Sequence, residues 1–425
     1  MSIIAHMKIR IILTFFLLLS RSHLFSAEFY ELEPILYLEN EGEDSVKNYF
    51  KEHKIDVQKW KFEPHYGYLR SALKALDIPV SSQTLVYSKT SFQITYITPQ
   101  KPRAIYFNDE IYLGWVNGSD TLELSVASPQ NGTNFYTISP RKNKPDLYRE
   151  THDCLQCHGS SRTRYIPGHL IRSVYPKIDG HAIFKAGSDL VDLQLPYSKR
   201  FGGWYVTGLN SDDHRGNLIF KETESGAEFH QQAPRFISPL KLDHQSYLNE
   251  ESDIIAHLVL QHQAQVHNGL AKLTLTTQKA LHDQKVFDEL LERDGTLVES
   301  TLRRIHHAAD DLLEALFFYQ EATPFPDVDR HSTFRNYFEA LGPKDKKDRS
   351  LRKFDLHTKL FRYPLSYLIY TDSYLQLPKI AKDYVNAKIK EVLNKDHVSE
   401  KYNYIDERDK GLVLSILKQT HPDFK

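Results

Sequence analysis

Sulfur is almost missing from this sequence. The chain has two cysteines, Cys154 and Cys157, and two methionines, Met1 and Met7. Two cysteines cannot build a disulfide framework. No second Cys/His pair at matching spacing accompanies them, so a tetrahedral zinc site lacks half its ligands. Charge of one sign is missing too: 54 Lys and Arg against 55 Asp and Glu leave about -1, which marks neither a nucleic-acid binder nor an acidic-tail carrier. No apolar run reaches the roughly 20 residues of a membrane span. Gly-rich phosphate loops and nucleophile elbows are absent, which removes two common enzyme classes.

The opening of the chain carries a signal instead. Lys8 and Arg10 precede the apolar run Ile11 to Leu19, and a polar stretch then ends in Ser26-Ala27. That is the layout of a secretory signal covering 1–27, with cleavage expected after Ala27. The expected location is the bacterial periplasm or the exterior, with no stable membrane span after cleavage. No cysteine lies near the cleavage point, so a bacterial lipid anchor is excluded. Cleavage also removes both methionines.

Thr151 to Ser161 reads THDCLQCHGSS. A Cys-x-x-Cys pair in an exported chain can be a disulfide or a thioredoxin-like redox pair, but the latter wants its cysteines after a strand in a compact βαβ unit. Here they sit late in PDLYRETHDCLQCH, which reads as a helix starting near Asp146. Cys-x-x-Cys-His is by itself the attachment signature of a c-type haem: the two thiols add across the porphyrin vinyl groups and the adjacent His158 is proximal iron ligand. One such motif means one covalent haem c. With no methionine left, the sixth iron position falls to a histidine, to a weaker nitrogen or oxygen donor, or to no protein group.

Three histidines follow the motif. His181 reads as a loop residue. His169 lies in IPGHLIRSVYP, where Arg162, Arg164 and Arg172 are placed to meet the propionates. His214 follows FGGWYVTG, whose Trp204 and Tyr205 suit the wall of a flat apolar ring, and it is the favoured distal ligand. His262, His267, His306, His307 and Asp310 fall on or beside two helical stripes; that cluster reads first as half-buried histidines needing hydrogen-bond partners and only second as a metal site.

Period-two runs FQITYI, RAIYFN, IYLGWV, TLELSVA and FYTI predict strands before the motif. From Asn249 the period becomes helical, with Ser252 as candidate cap, and a second helix runs from about Thr296 to Gln320 until TPFPDVD breaks it. Leu360 to Tyr370 reads as core. The expected class is α+β: an α+β haem domain over 28–240 and a mainly helical domain over 241–425.

The runs PRAIYFNDEIYLGWV, CLQCHGSSRTRYIPGHLIRSVYP, GGWYVTG, LVLQHQAQVHN and DRSLRKFDLHTKLFRYPLSYLIY resemble exported bacterial proteins that carry a cytochrome c domain. The resemblance covers most of the chain from about residue 95 onward. It implies a periplasmic haem c protein and brings no assigned reaction. It places a histidine near a Gly-Asn in the segment His214 to Asn217, where this chain has Arg215-Gly216 and no methionine. Two function classes follow: an electron carrier serving a redox partner protein, and a haem enzyme or sensor with an open sixth position.

Overall fold

The computed structural model describes residues 28–40, 50–141, 144–233, 246–394 and 400–425. The expected signal segment lies outside the described residues. After a short helix α1 (Leu69–Ala75) come β1 (Thr84–Val86), β2 (Arg103–Phe107), β3 (Ile111–Val116), β4 (Leu122–Ser128), β5 (Gly132–Arg141) and β6 (Lys144–Arg149). A one-turn helix α2 (Leu155–His158) follows, then β7 (Arg172–Ser173), β8 (Asp189–Leu190), β9 (Trp204–Tyr205), β10 (Leu218–Thr223) and β11 (Gly226–Gln232). The rest is helical: α3 (Ile254–Leu290), α4 (Glu299–Leu316), α5 (Thr333–Ala340), α6 (Asp372–Leu375), α7 (Lys379–Leu393) and α8 (Glu407–Thr420). The chain is therefore sheet-rich in its first half and helical in its second, as an α+β reading requires.

One antiparallel sheet runs β6-β5-β4-β3-β2-β1-β9. Its register sorts the side chains, because successive residues of a strand face opposite sides. Ala104 lies opposite Trp115, Leu113 opposite Leu124 and Leu124 opposite Tyr136; these residues form one apolar face, covered by Leu69, Ala72 and Leu73 of α1. The other face carries Arg103, Tyr112, Gly114, Glu123, Ser125 and Phe135, and it looks toward α3 and the Cys-x-x-Cys-His segment.

Two local expectations fail. FQITYI, residues 92–97, is a series of turns with Phe92, Ile94 and Tyr96 exposed. Both edges of β2, the next strand in the chain, are already taken, by β1 and β3. The helix expected from Asp146 is instead β6, with Asp146 opposite Ser139. The free edge of β5 outcompetes the helical pattern, and helix remains only over Leu155–His158.

The long helix α3 is capped by Asp253, whose carboxylate accepts from the Ile255 and Ala256 amides, rather than by Ser252. Ser252 joins the two halves: its Oγ accepts from the Leu85 amide at 2.9 Å and donates to the Tyr205 carbonyl at 2.7 Å. Helix α4 runs antiparallel to α3, with Asp283 bonded to Arg304 and Lys272 to Asp311. A Cβ on Gly269 would sit 3.0 Å from Leu312, so the glycine sets how closely the pair packs. Tyr112, Phe201, Trp204 and Val206 share one core cluster with the helices and with Leu360 to Ile369. No helix among the described residues is long and apolar enough to cross a membrane.

Candidate functional site

Cys154 and Cys157 lie on a single helical turn, where residues three apart share a face. Leu155 points inward between them, into a small cluster with Tyr30, Ile35, Tyr37, Phe135, Ile166, Ala271 and Leu275. Cys157 is exposed, whereas Cys154 is half-buried against that same cluster, and neither is bonded to the other. Burial first, then the carboxylates of Glu123 and Glu150, push the Cys154 thiol up to about 12. A thiol held protonated is the opposite of the activated thiolate a redox Cys-x-x-Cys needs.

His158 closes the turn with its amide on the Cys154 carbonyl at 2.9 Å. Its ring rests against Phe135 at 4.8 Å, and its Nδ1 donates to the Gly168 carbonyl at 2.8 Å. That bond fixes the tautomer: Nδ1 carries the proton and Nε2 keeps its lone pair. Burial holds the ring's pKa below the ordinary histidine value, so it stays neutral, as a metal ligand must be.

The loop that supplies this carbonyl is itself clamped. The Gly168 amide donates back to the His158 carbonyl at 2.9 Å. Asn268 on α3 accepts from the His169 amide at 2.7 Å and donates to the His169 carbonyl at 2.8 Å. Gly168 has no room for a side chain, since a Cβ there would lie 2.6 Å from Asn268 Oδ1. Thr163 Oγ1 donates to the His158 carbonyl at 3.0 Å.

Sheet residues complete the surroundings. Arg103 pairs with Glu123 beside the motif, close enough for both charges to act on Cys154 and His158. The Arg103 guanidinium lies over Gly114, where any Cβ would collide with it. Arg172 is near enough to Cys157 and Arg162 to feel both, while its Nη2 donates to Ser188 at 2.8 Å. Arg164 turns away to Asp311, 3.1 Å distant on α4.

The remaining expected residues are distributed. His169 is buried at 8% exposure, with its ring against Tyr112 at 4.3 Å and its Nε2 without a partner among the described residues. His214 lies in its polar turn, its Nδ1 accepting from the Gly216 amide at 2.9 Å, edge-on to Phe201 at 6.3 Å. His181 pairs with Asp179 in a turn. Trp204 is core, with its Nε1 donating to the Arg172 carbonyl at 2.9 Å. The histidines of α3 and α4 go separate ways: His262 bonds Ser366 and His267 bonds Tyr112, His306 stacks on Tyr384 and His307 reaches Asp311. No group of three or more His, Cys, Asp or Glu among the described residues could hold a metal ion.

Asn268, Gly168 and the Arg103–Glu123 pair are the site residues that sequence reading missed. Pro167-Gly168 is legible as a turn, but no local pattern marks its bonds to His158 and Asn268 or the Arg103–Glu123 pair, because each acts across the fold. None of the family models, curated proteins or solved structures compared with the chain matches it, so the functional reading rests on the site's own chemistry.

Proposed function

We propose that the chain is a periplasmic monohaem c-type cytochrome acting in electron transfer, with the haem bound through Cys154 and Cys157 and His158 as proximal ligand. The observation that carries this reading is the hydrogen bond from His158 Nδ1 to the Gly168 carbonyl. It leaves the Nε2 of that ring without this bond, on the residue next to Cys157, and second partners of this kind orient metal-bound imidazoles. A haem c bound there would supply one-electron chemistry at a potential set by its axial ligands. The chain's own part is to hold the proximal ring neutral and fixed, through Gly168, Asn268 and Phe135. It also keeps the Arg103–Glu123 pair beside the motif as a local charge balance.

His214 is proposed as the sixth ligand, with a condition attached. Its Nδ1 now accepts from the Gly216 amide, which puts the ring proton on Nε2; binding iron through Nε2 requires this bond to be released and the proton moved. His169 is the second candidate, its ring enclosed against Tyr112. The Gly216 bond favours a second reading, in which the sixth position is open to a small ligand and the protein is a haem enzyme or sensor. The test is a ferric spectrum of the protein made with a haem c maturation system, compared with His214→Ala. Conversion from low-spin to high-spin is expected for a His214 ligand. A wild-type protein already high-spin and able to bind carbon monoxide when reduced supports the second reading instead.

A further inference from the structure

Tyr112 alternates with Gly114 on β3 and so faces α3, where it meets His267. Its hydroxyl and the His267 Nδ1 are 2.8 Å apart, with the two rings edge to face at 88°. Both residues are buried, Tyr112 at 7% and His267 at 2% exposure.

The direction of this hydrogen bond follows from counting. Burial keeps the His267 imidazole neutral, so it carries one N–H. Placed on Nδ1, that proton would point at the phenol oxygen, leaving the phenolic hydrogen and the Nε2 lone pair both without a partner. Placed on Nε2, it lets the phenol donate to Nδ1 and leaves a single orphan, the Nε2–H, which has no partner among the described residues. Fewer buried orphans means the second arrangement is the stable one.

A buried phenol that donates to a neutral imidazole is prepared to lose an electron and a proton together. Burial holds the phenol far above its ordinary pKa, so it does not ionise first, and a phenol radical cation in a dry core would be costly. The proton must leave with the electron, and His267 Nδ1 is in place to take it. Asp109 and Glu110 lie near enough to act on Tyr112, and both hold its phenol in the protonated form. Outward, the Tyr112 ring contacts His169 at 4.3 Å, and His169 lies within electrostatic reach of His158.

We propose that Tyr112 is a one-electron store, oxidised to a neutral tyrosyl radical as His267 takes its proton. In the step, the Tyr112 O–H bond breaks, an N–H bond forms at His267 Nδ1, and one electron passes to the oxidant. The class of oxidant is a hydroperoxide acting at a haem whose sixth position is open, as in the second reading above. Its reduction to alcohol and water takes one electron from the haem, one from Tyr112 and two protons from solvent. Only this choice of oxidant rests on the haem reading.

The test uses the full mature chain, its haem content recorded first by absorbance. A photogenerated ruthenium(III) polypyridyl complex, itself reduced to ruthenium(II), oxidises the tyrosines, and samples are frozen for electron paramagnetic resonance after a delay. Exposed tyrosyl radicals couple and decay during the delay; a radical at Tyr112 is sheltered. A long-lived tyrosyl signal is expected in the wild type, lost to background in Tyr112→Phe and short-lived in His267→Gln. A long-lived signal unchanged in Tyr112→Phe, or no such signal in the wild type, overturns the proposal. If His267→Gln does not fold, the wild type is oxidised in deuterated water, where slower radical formation is expected and an unchanged rate overturns the proton transfer. Absence of haem in the first absorbance reading strikes the haem assignment and leaves the radical result standing.

Discussion

Gly168 carries more of the site than its lack of a side chain suggests. Its carbonyl receives the His158 proton, its amide returns a bond to the His158 carbonyl, and its bare Cα lets Asn268 close over the next peptide. Gly168→Ala places a methyl 2.6 Å from Asn268 Oδ1 and forces that clamp open. The expected cost is about 1–3 kcal/mol, the range for leaving a buried polar group unpaired, read as a lower urea midpoint at constant m-value. An unchanged midpoint would show that the loop can shift without loss. The cysteines and His158 were legible because their chemistry is written within five consecutive residues. The clamp was not, because Asn268 stands 99 residues from His169, and a lone asparagine in a helical pattern announces nothing.

At the scale of elements, strands RAIYFN, IYLGWV, TLELSVA and FYTI were readable because their period-two alternation matches two differently used faces. FQITYI is also rich in β-branched and aromatic residues and forms turns instead, since strand propensity is overridden by tertiary context. Residues 144–149 fail for the complementary reason: an open sheet edge captured a segment with a helical pattern. The start of α3 was placed one residue early, because Ser252 and Asp253 are both good caps and the tertiary contacts of Ser252 had already claimed its hydroxyl. Asp253 caps two amides and also accepts from Ser332. Asp253→Ala is therefore expected to destabilise by about 1–2 kcal/mol, the upper part of the N-cap range, whereas Asp253→Asn should keep most of the cap. Equal midpoints for the alanine variant and the wild type in urea would contradict the assignment.

For the whole molecule, one core links sheet and helices, and buried titratable groups lie within and beside it. Burial pushes His257, His262 and His267 down to about 3. The unfolded chain protonates these rings below about pH 6.5 and the folded chain does not, so their contribution is present above that pH and is lost as the pH falls toward 3. Glu110 and Glu321 act in the opposite sense. Burial raises both carboxyls to about 7, so their contribution is present below an ordinary carboxyl pKa of about 4.3 and is lost as the pH rises through 7. Between about pH 4.5 and 6.5 the three rings outweigh the two carboxyls, and stability should rise with pH. His169 is lowered as well and adds in the same direction. Urea midpoints at the two ends of this window check the sign: a higher midpoint at the acid end would contradict it.

The central claim concerns a covalent bond, and mass tests it most directly. The mature protein, produced beside a haem c maturation system, is denatured and its intact mass measured with that of Cys154→Ser/Cys157→Ser. The account predicts that the denatured wild-type chain retains the added mass of one haem and that the double variant retains none. A wild-type chain at the bare polypeptide mass, or lighter only by the two hydrogens of a disulfide, would contradict it.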